Sequence, residues 1–171
     1  MKKEEEASVS LKGFSQRLDN ATSYGEVWNI VKDSVENVFH KRRGSMMLFL
    51  DDLPLQLGAY HSLGTNNIVL NRALVQIVEA TIEDKKMVNA LVYNLLVHEY
   101  LHALGEISEI QVRRLVVEVC KKAFGEDHVA TKLAIRSPWA LLQGIPLDKV
   151  DMPKRVMEIV KDFEKSDKYI V

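Results

Sequence analysis

The chain has 171 residues, 47% of them hydrophobic and 27% charged, with a formal net charge of −1. That length can bury a core without staples, and so even a charge balance excludes a global field drawing the protein to nucleic acid or to an acidic membrane. The lone cysteine, Cys120, cannot close an internal disulfide; its apolar run Leu115–Cys120 marks a buried, inert thiol, not a nucleophile.

Residues 1–10 carry charge and little to bury, and are expected to form a mobile tail. Met1–Ala7 has no apolar run after it, so no secretory leader is expected. No apolar stretch is long enough to span a bilayer, and the cytoplasm is the default location. Residues 11–171 are expected to form one α+β domain. Ser23 and Glu26 have capping-box spacing, and Val27, Ile30, Val31, Val35, Val38 and Phe39 continue a helical stripe to about Lys41. The basic triplet Lys41-Arg42-Arg43 reads as a solvated helix end. Three short strands follow: Ser45–Leu50, stopped by Asp51-Asp52 and Pro54, then Leu57–His61, and after the turn at Gly64-Thr65-Asn66, Asn67–Asn71. Helical patterning returns over Arg72–Thr81, Asp84–Leu104, Glu109–Phe124 and Asp127–Arg136, with Gly105 and Gly125 as stops and Ser108 with Gln111 as a second capping pair. Ser137-Pro138-Trp139 starts a short turn. A last helix is expected from Pro153 to Lys165.

The chemistry concentrates in His98-Glu99-Tyr100-Leu101-His102. Histidines four residues apart on a helix share one face and can reach one metal ion, while Glu99 can place a carboxylate beside a water held there. The helix leading to them is apolar through Val88, Leu91, Val92, Leu95 and Leu96, and two histidines with a glutamate are costly guests at such an end without a purpose. The ion expected is one Zn²⁺ per chain, and an open zinc site needs a third protein ligand. Glu109 is favoured: a left-handed turn at Gly105 sends the chain back within a few residues. Glu106 and Glu118 stay open, because Glu109, as the first residue of a helix, also suits the helix dipole without any metal.

The string His98–His102 with Glu109 downstream resembles the zincin metallopeptidases, more narrowly the gluzincins, and most closely the archaeal minigluzincins. The resemblance covers about residues 20–125. It implies a zincin-like fold: a backing helix, a small three- to four-stranded sheet with an edge strand at the cleft, an active-site helix, a Glu-bearing helix and C-terminal helices. It also implies zinc-dependent peptide hydrolysis through a metal-bound water activated by Glu99, acting on a peptide or unfolded protein, with neither nucleic acid nor membrane as partner. Two departures are visible. Arg113 stands where thermolysin-like enzymes have an Asp four residues after the ligand Glu, and Ser108 stands where a metzincin has its third His.

The same residues allow an alternative function, a latent or inactive metal-stabilised binding domain. Asn67–Asn71 is a candidate edge strand for pairing with substrate backbone. His128, Tyr93 and Tyr100 are candidates for stabilising an oxyanion, against plainer roles as a helix-start histidine and core aromatics. Val156, Ile159, Val160 and Phe163 form an apolar stripe at helical spacing before the tail Asp167–Val171. That segment, residues 152–171, can cover the cleft or close the core.

Overall fold

A computed structural model describes residues 13–147 and 153–164. In chain order, the helices are α1 (13–19), α2 (Tyr24–Phe39), α3 (Arg72–Ile82), α4 (Lys85–Ala103), α5 (Glu109–Phe124) and α6 (Val129–Arg136), the last followed by a 3₁₀ turn over Pro138–Leu142. The strands are β1 (Met47–Asp51), β2 (Ala59–His61), β3 (Asn67–Asn71) and β4 (Glu158–Ile159). The fold is α+β. Among the described residues no helix is long and apolar enough to cross a membrane. The expected tail at residues 1–10 lies outside the described residues.

α4 is the axis of the molecule. It is apolar around most of its circumference, and Leu91, Tyr93, Leu96, Val97, Tyr100 and Leu101 are all buried. Such a helix has to be enclosed. It packs against α2, α3, α5, α6 and the sheet strands β2 and β3. Its buried polar side chains are spent on backbone carbonyls: the Asn89 amide donates to Leu18 and Ala21, the Asn94 amide to Ala90 and Ala130. α2 backs it through Trp28, set edge-on to Tyr100 at 4.9 Å, and through a 2.8 Å hydrogen bond between Ser34 and Tyr93.

The expected capping box is half formed. Ser23 accepts the Glu26 N–H, but the Glu26 carboxylate turns to the N–H and hydroxyl of Thr22. The basic triplet is also not simply solvated. Arg42 pairs with Asp33 and Glu36, while the Arg43 guanidinium donates to the carbonyls of Ala103 and Thr65 and its backbone N–H donates to the Tyr100 hydroxyl. Arg43 thereby ties the end of α4 to the sheet.

The sheet order is β2-β3-β1-β4; β1 and β3 run parallel, with Leu48 opposite Ile68, and both flanking pairs are antiparallel. Asn67–Asn71 is therefore an inner strand, not the edge strand expected. Ile68, Val69 and Leu70 are buried in succession, as a strand covered on both faces requires. The edge beside α4 is β2, and Gly58 at its start lies so close to Leu95 that an added Cβ would stand 2.5 Å from a Leu95 methyl carbon. Fully buried Asn71 holds the loop before β2: its amide nitrogen faces the carbonyls of Leu53, Pro54 and Leu57, while its oxygen accepts from Leu53 and caps α3 at Leu74.

The helix expected from Pro153 to Lys165 does not form over residues 153–164. This segment is extended and lies along β1, the sheet edge away from β2, with Glu158 opposite Leu50 and Ile159 opposite Phe49. Its apolar stripe is not a buried face: Val156 and Ile159 are exposed, Val160 packs half-buried against the core, and Phe163 is buried in it, stacked on Trp28 at 4.7 Å. The physical reason is a set of anchors stronger than a lone amphipathic turn. Arg155 donates to Asp52 from backbone and side chain, Arg72 bridges Asp52 to the Val156 carbonyl, and Glu164 accepts from the Trp28 indole. The hydrogen bonds from Arg155 and Arg72 hold the Asp52 carboxyl well below the usual carboxylate range. The segment 153–164 thus closes the core and leaves the cleft uncovered; Lys165 and the tail Asp167–Val171 lie outside the described residues.

Two substitutions test this docking. Phe163→Ala removes a buried ring and is expected to cost about 3–5 kcal/mol, measured by urea unfolding. Gly25→Ala would bring a Cβ to 2.8 Å from the Asp162 carbonyl, so a loss of stability there, suppressed when Phe163 is already alanine, marks the same contact. A loss under about 1 kcal/mol for Phe163→Ala contradicts the core role.

Candidate metal centre

α4 ends one residue after His102. Gly105 takes φ +110°, a left-handed conformation that disfavours side chains, and the Glu106 N–H closes back onto the Leu101 carbonyl. Ser108 then caps α5 by accepting the Gln111 N–H, and Glu109 opens the new helix beside the last turn of the old one. The result is convergence: one ligand atom each from His98, His102 and Glu109, all within 4.8 Å of one another. The Glu109 carboxylate lies 3.0 Å from His98 Nε2 and 2.7 Å from His102 Nε2. This group can hold a metal ion.

The alternatives for the third position fall elsewhere. Glu118 pairs with Lys122 one turn along the outer face of α5. Glu106 contributes its backbone, not its carboxylate: its carbonyl accepts a 2.6 Å hydrogen bond from His102 Nδ1. A carbonyl has no proton to give, so Nδ1 must be the donor, and the Nε2 of a neutral His102 then carries a lone pair. Burial keeps His98 below the usual imidazole range, against the pull of Glu109. Burial alone would raise Glu109, but the two facing histidines outweigh it and hold the carboxylate below its ordinary value. Both shifts run toward the deprotonated imidazole and ionised carboxylate that a metal site needs.

The donor set is compatible with zinc in kind. Two imidazole nitrogens and one carboxylate oxygen are among its usual ligands, and donors around a tetrahedral Zn²⁺ stand about 3.3 Å apart. The carboxylate–imidazole separations, 3.0 and 2.7 Å, are tighter than this, while the three ligand atoms together spread over up to 4.8 Å, so the rings and Glu109 adjust together to admit an ion.

Glu99 lines the same cleft, near the His61 backbone of β2. Desolvation, reinforced by the charge on Glu109, pushes its pKa up to about 8. The cleft has a volume of about 750 Å³. On one side it is bordered by Gln56, Leu57, Gly58 and Ala59, leading into edge strand β2; on the other by α5, the end of α6 and Trp139.

The proposed oxyanion candidates are not in this cleft. His128 caps α6 by accepting the Ala130 N–H, pairs with Asp19 at 2.9 Å and stacks on Phe124. Tyr93 is a core aromatic, and the Tyr100 hydroxyl is committed to the Arg43 backbone. Sequence reasoning missed the cationic wall of the cleft, Arg113, Arg114 and Arg136. A signal was available: Arg113 lies four residues after Glu109, on the same face of α5.

Comparison with known proteins finds no matching family model, no similar curated protein and no similar solved structure.

Two outcomes follow from the geometry. Glu109→Ala is expected to weaken zinc binding by at least tenfold in competition with a chromophoric chelator, while Glu106→Ala and Glu118→Ala stay near wild type; the reverse order contradicts the ligand set. In metal-free protein, Glu99 keeps its proton to about pH 8, whereas the unfolded chain releases it near 4.5. The unfolded state then binds fewer protons, so stability falls as pH rises between those values. Glu99→Gln removes that decline, and thermal melts at pH 5 and pH 8 in chelator should show a stabilisation that grows with pH.

Proposed function

We propose that the protein is a zinc-dependent metallopeptidase. The observation that carries this reading is the convergence of His98, His102 and Glu109 at the side of a cleft that His98, Glu109 and half-buried Glu99 line. The pairing of an HExxH helix with a Glu-bearing helix directly after it is similar to the gluzincins, and the short interval between them most resembles the minigluzincins. The backing helix α2, the small sheet and the edge strand at the cleft are compatible with a zincin-like fold.

Each residue has a definite task in this reading. His98, His102 and Glu109 would hold one Zn²⁺, which when bound supplies Lewis acidity that acidifies a water and polarises the scissile carbonyl. The Glu106 carbonyl fixes the His102 ring so that Nε2 faces the ion. Backbone groups from Gln56 through β2 align an extended peptide by main-chain pairing. Glu99 takes the proton from the attacking water and passes it to the departing amine. A carboxyl with its pKa raised by a dry site suits both halves of that transfer, because it ionises near the working pH.

The test separates binding from turnover. Glu99→Gln should keep one equivalent of zinc and lose hydrolysis of a peptide library or a denatured protein by about 10²-fold or more. Cleavage that is insensitive to both Glu99→Gln and chelator contradicts the proposal. Metal retention with no hydrolysis by the wild-type chain would instead favour the metal-stabilised binding domain.

A further inference from the structure

We propose that the wall of the cleft facing β2 is a subsite for a carboxylate, so that the peptides taken carry an acidic group within one or two residues of the bond that is cut. This rests on the cleft being a site of peptide hydrolysis. Three guanidiniums line it: Arg113 and Arg114 from α5, and Arg136 from the last turn of α6. The other arginines among the described residues are committed. Arg17 and Arg42 pair with Asp33, Arg72 and Arg155 with Asp52, and Arg43 is spent on carbonyls. Arg113, Arg114 and Arg136 pair with no carboxylate among the described residues.

The two acidic residues lining the cleft cannot neutralise them. Glu109 is held by both histidines, and Glu99 makes no ion pair with any arginine among the described residues. A cleft lined by three arginines that are unpaired among the described residues focuses a positive field, and a bound dication would add to it. Guanidinium is also the group best matched to a carboxylate, through two parallel N–H donors.

Position sets the register. Arg113 is one helical turn, about 5.4 Å, along α5 from Glu109. An extended peptide advances about 3.3 Å per residue, so a carboxylate reaching Arg113 belongs to a residue beside the scissile bond. Leu95, Val117 and Trp139 line the same space and can pack the stem of an acidic side chain. The carboxylate can come from an Asp or Glu side chain or from the C-terminus of a short peptide.

The experiment uses zinc-loaded protein and four matched peptides. Glu is compared with Gln beside the cleaved bond, each with a free or an amidated C-terminus. Cleavage is read as kcat/KM, and binding to Glu99→Gln protein is read by Trp139 fluorescence, with Trp139→Phe assigning the signal. Carboxylate-bearing peptides should be favoured by about tenfold to a hundredfold, as expected for charge-assisted hydrogen bonds. A preference that follows the side chain identifies an acidic-residue subsite, and one that follows the C-terminus identifies terminal-carboxylate capture; both support the proposal. Arg113→Glu with Arg136→Glu should reverse the preference toward a Lys peptide, whereas the Lys substitutions at the same positions should largely keep it. Equal handling of all four peptides, or a preference that survives the charge reversal, overturns the subsite. If no peptide is cut, the peptidase reading fails, and the binding comparison alone decides the subsite.

Discussion

An ionised carboxylate pressed against an imidazole lone pair is repulsive unless positive charge lies between them. His102 places its Nε2 2.7 Å from the Glu109 carboxylate. Its Nδ1–H is committed to the Glu106 carbonyl, so it can offer Glu109 a proton only by becoming a cation. Burial lowers the proton affinity of His98, the second imidazole on Glu109. A metal ion held between them would resolve the encounter without protonating either ring, and the local architecture keeps the three side chains together. Gly105 turns the chain, Ser108 starts α5 at the right residue, and Arg43 fastens the end of α4 to the sheet.

The rest of the molecule makes that end of α4 rigid. A helix buried on nearly every side cannot rotate its polar face away from the cleft without exposing Leu96, Val97 or Leu101. Trp28 connects this helix to the C-terminal segment, being edge-on to Tyr100 and stacked on Phe163. The segment 153–164 therefore supports the site from behind, on the sheet edge away from β2.

The site was largely legible in the sequence, because the histidine spacing is a property of the helix itself and the Gly105 stop fixes where α5 begins. Helix limits for α4 and α5 followed from Asp84, Gly105, Ser108 and Gly125, residues whose roles are local. Strand order was not legible. The run Asn67–Asn71 reads the same whether it is an edge or an inner strand, since its neighbours are set by pairing at a distance. The C-terminal segment misled for a related reason: Val156, Ile159, Val160 and Phe163 fit a helix, but Asp52, a hundred residues away, holds Arg155 extended. The arginine wall needed α5 and α6 to be brought together before it became one surface.

The proposed chemistry requires that His98, His102 and Glu109 bind the same ion. X-ray absorption at the zinc edge of stoichiometrically loaded protein tests this most directly. Two imidazole scatterers with oxygen donors at about 2.0 Å, falling to one imidazole in His102→Ala, are the predicted result. A zinc environment with no imidazole scattering, or one unchanged by His102→Ala, would contradict it.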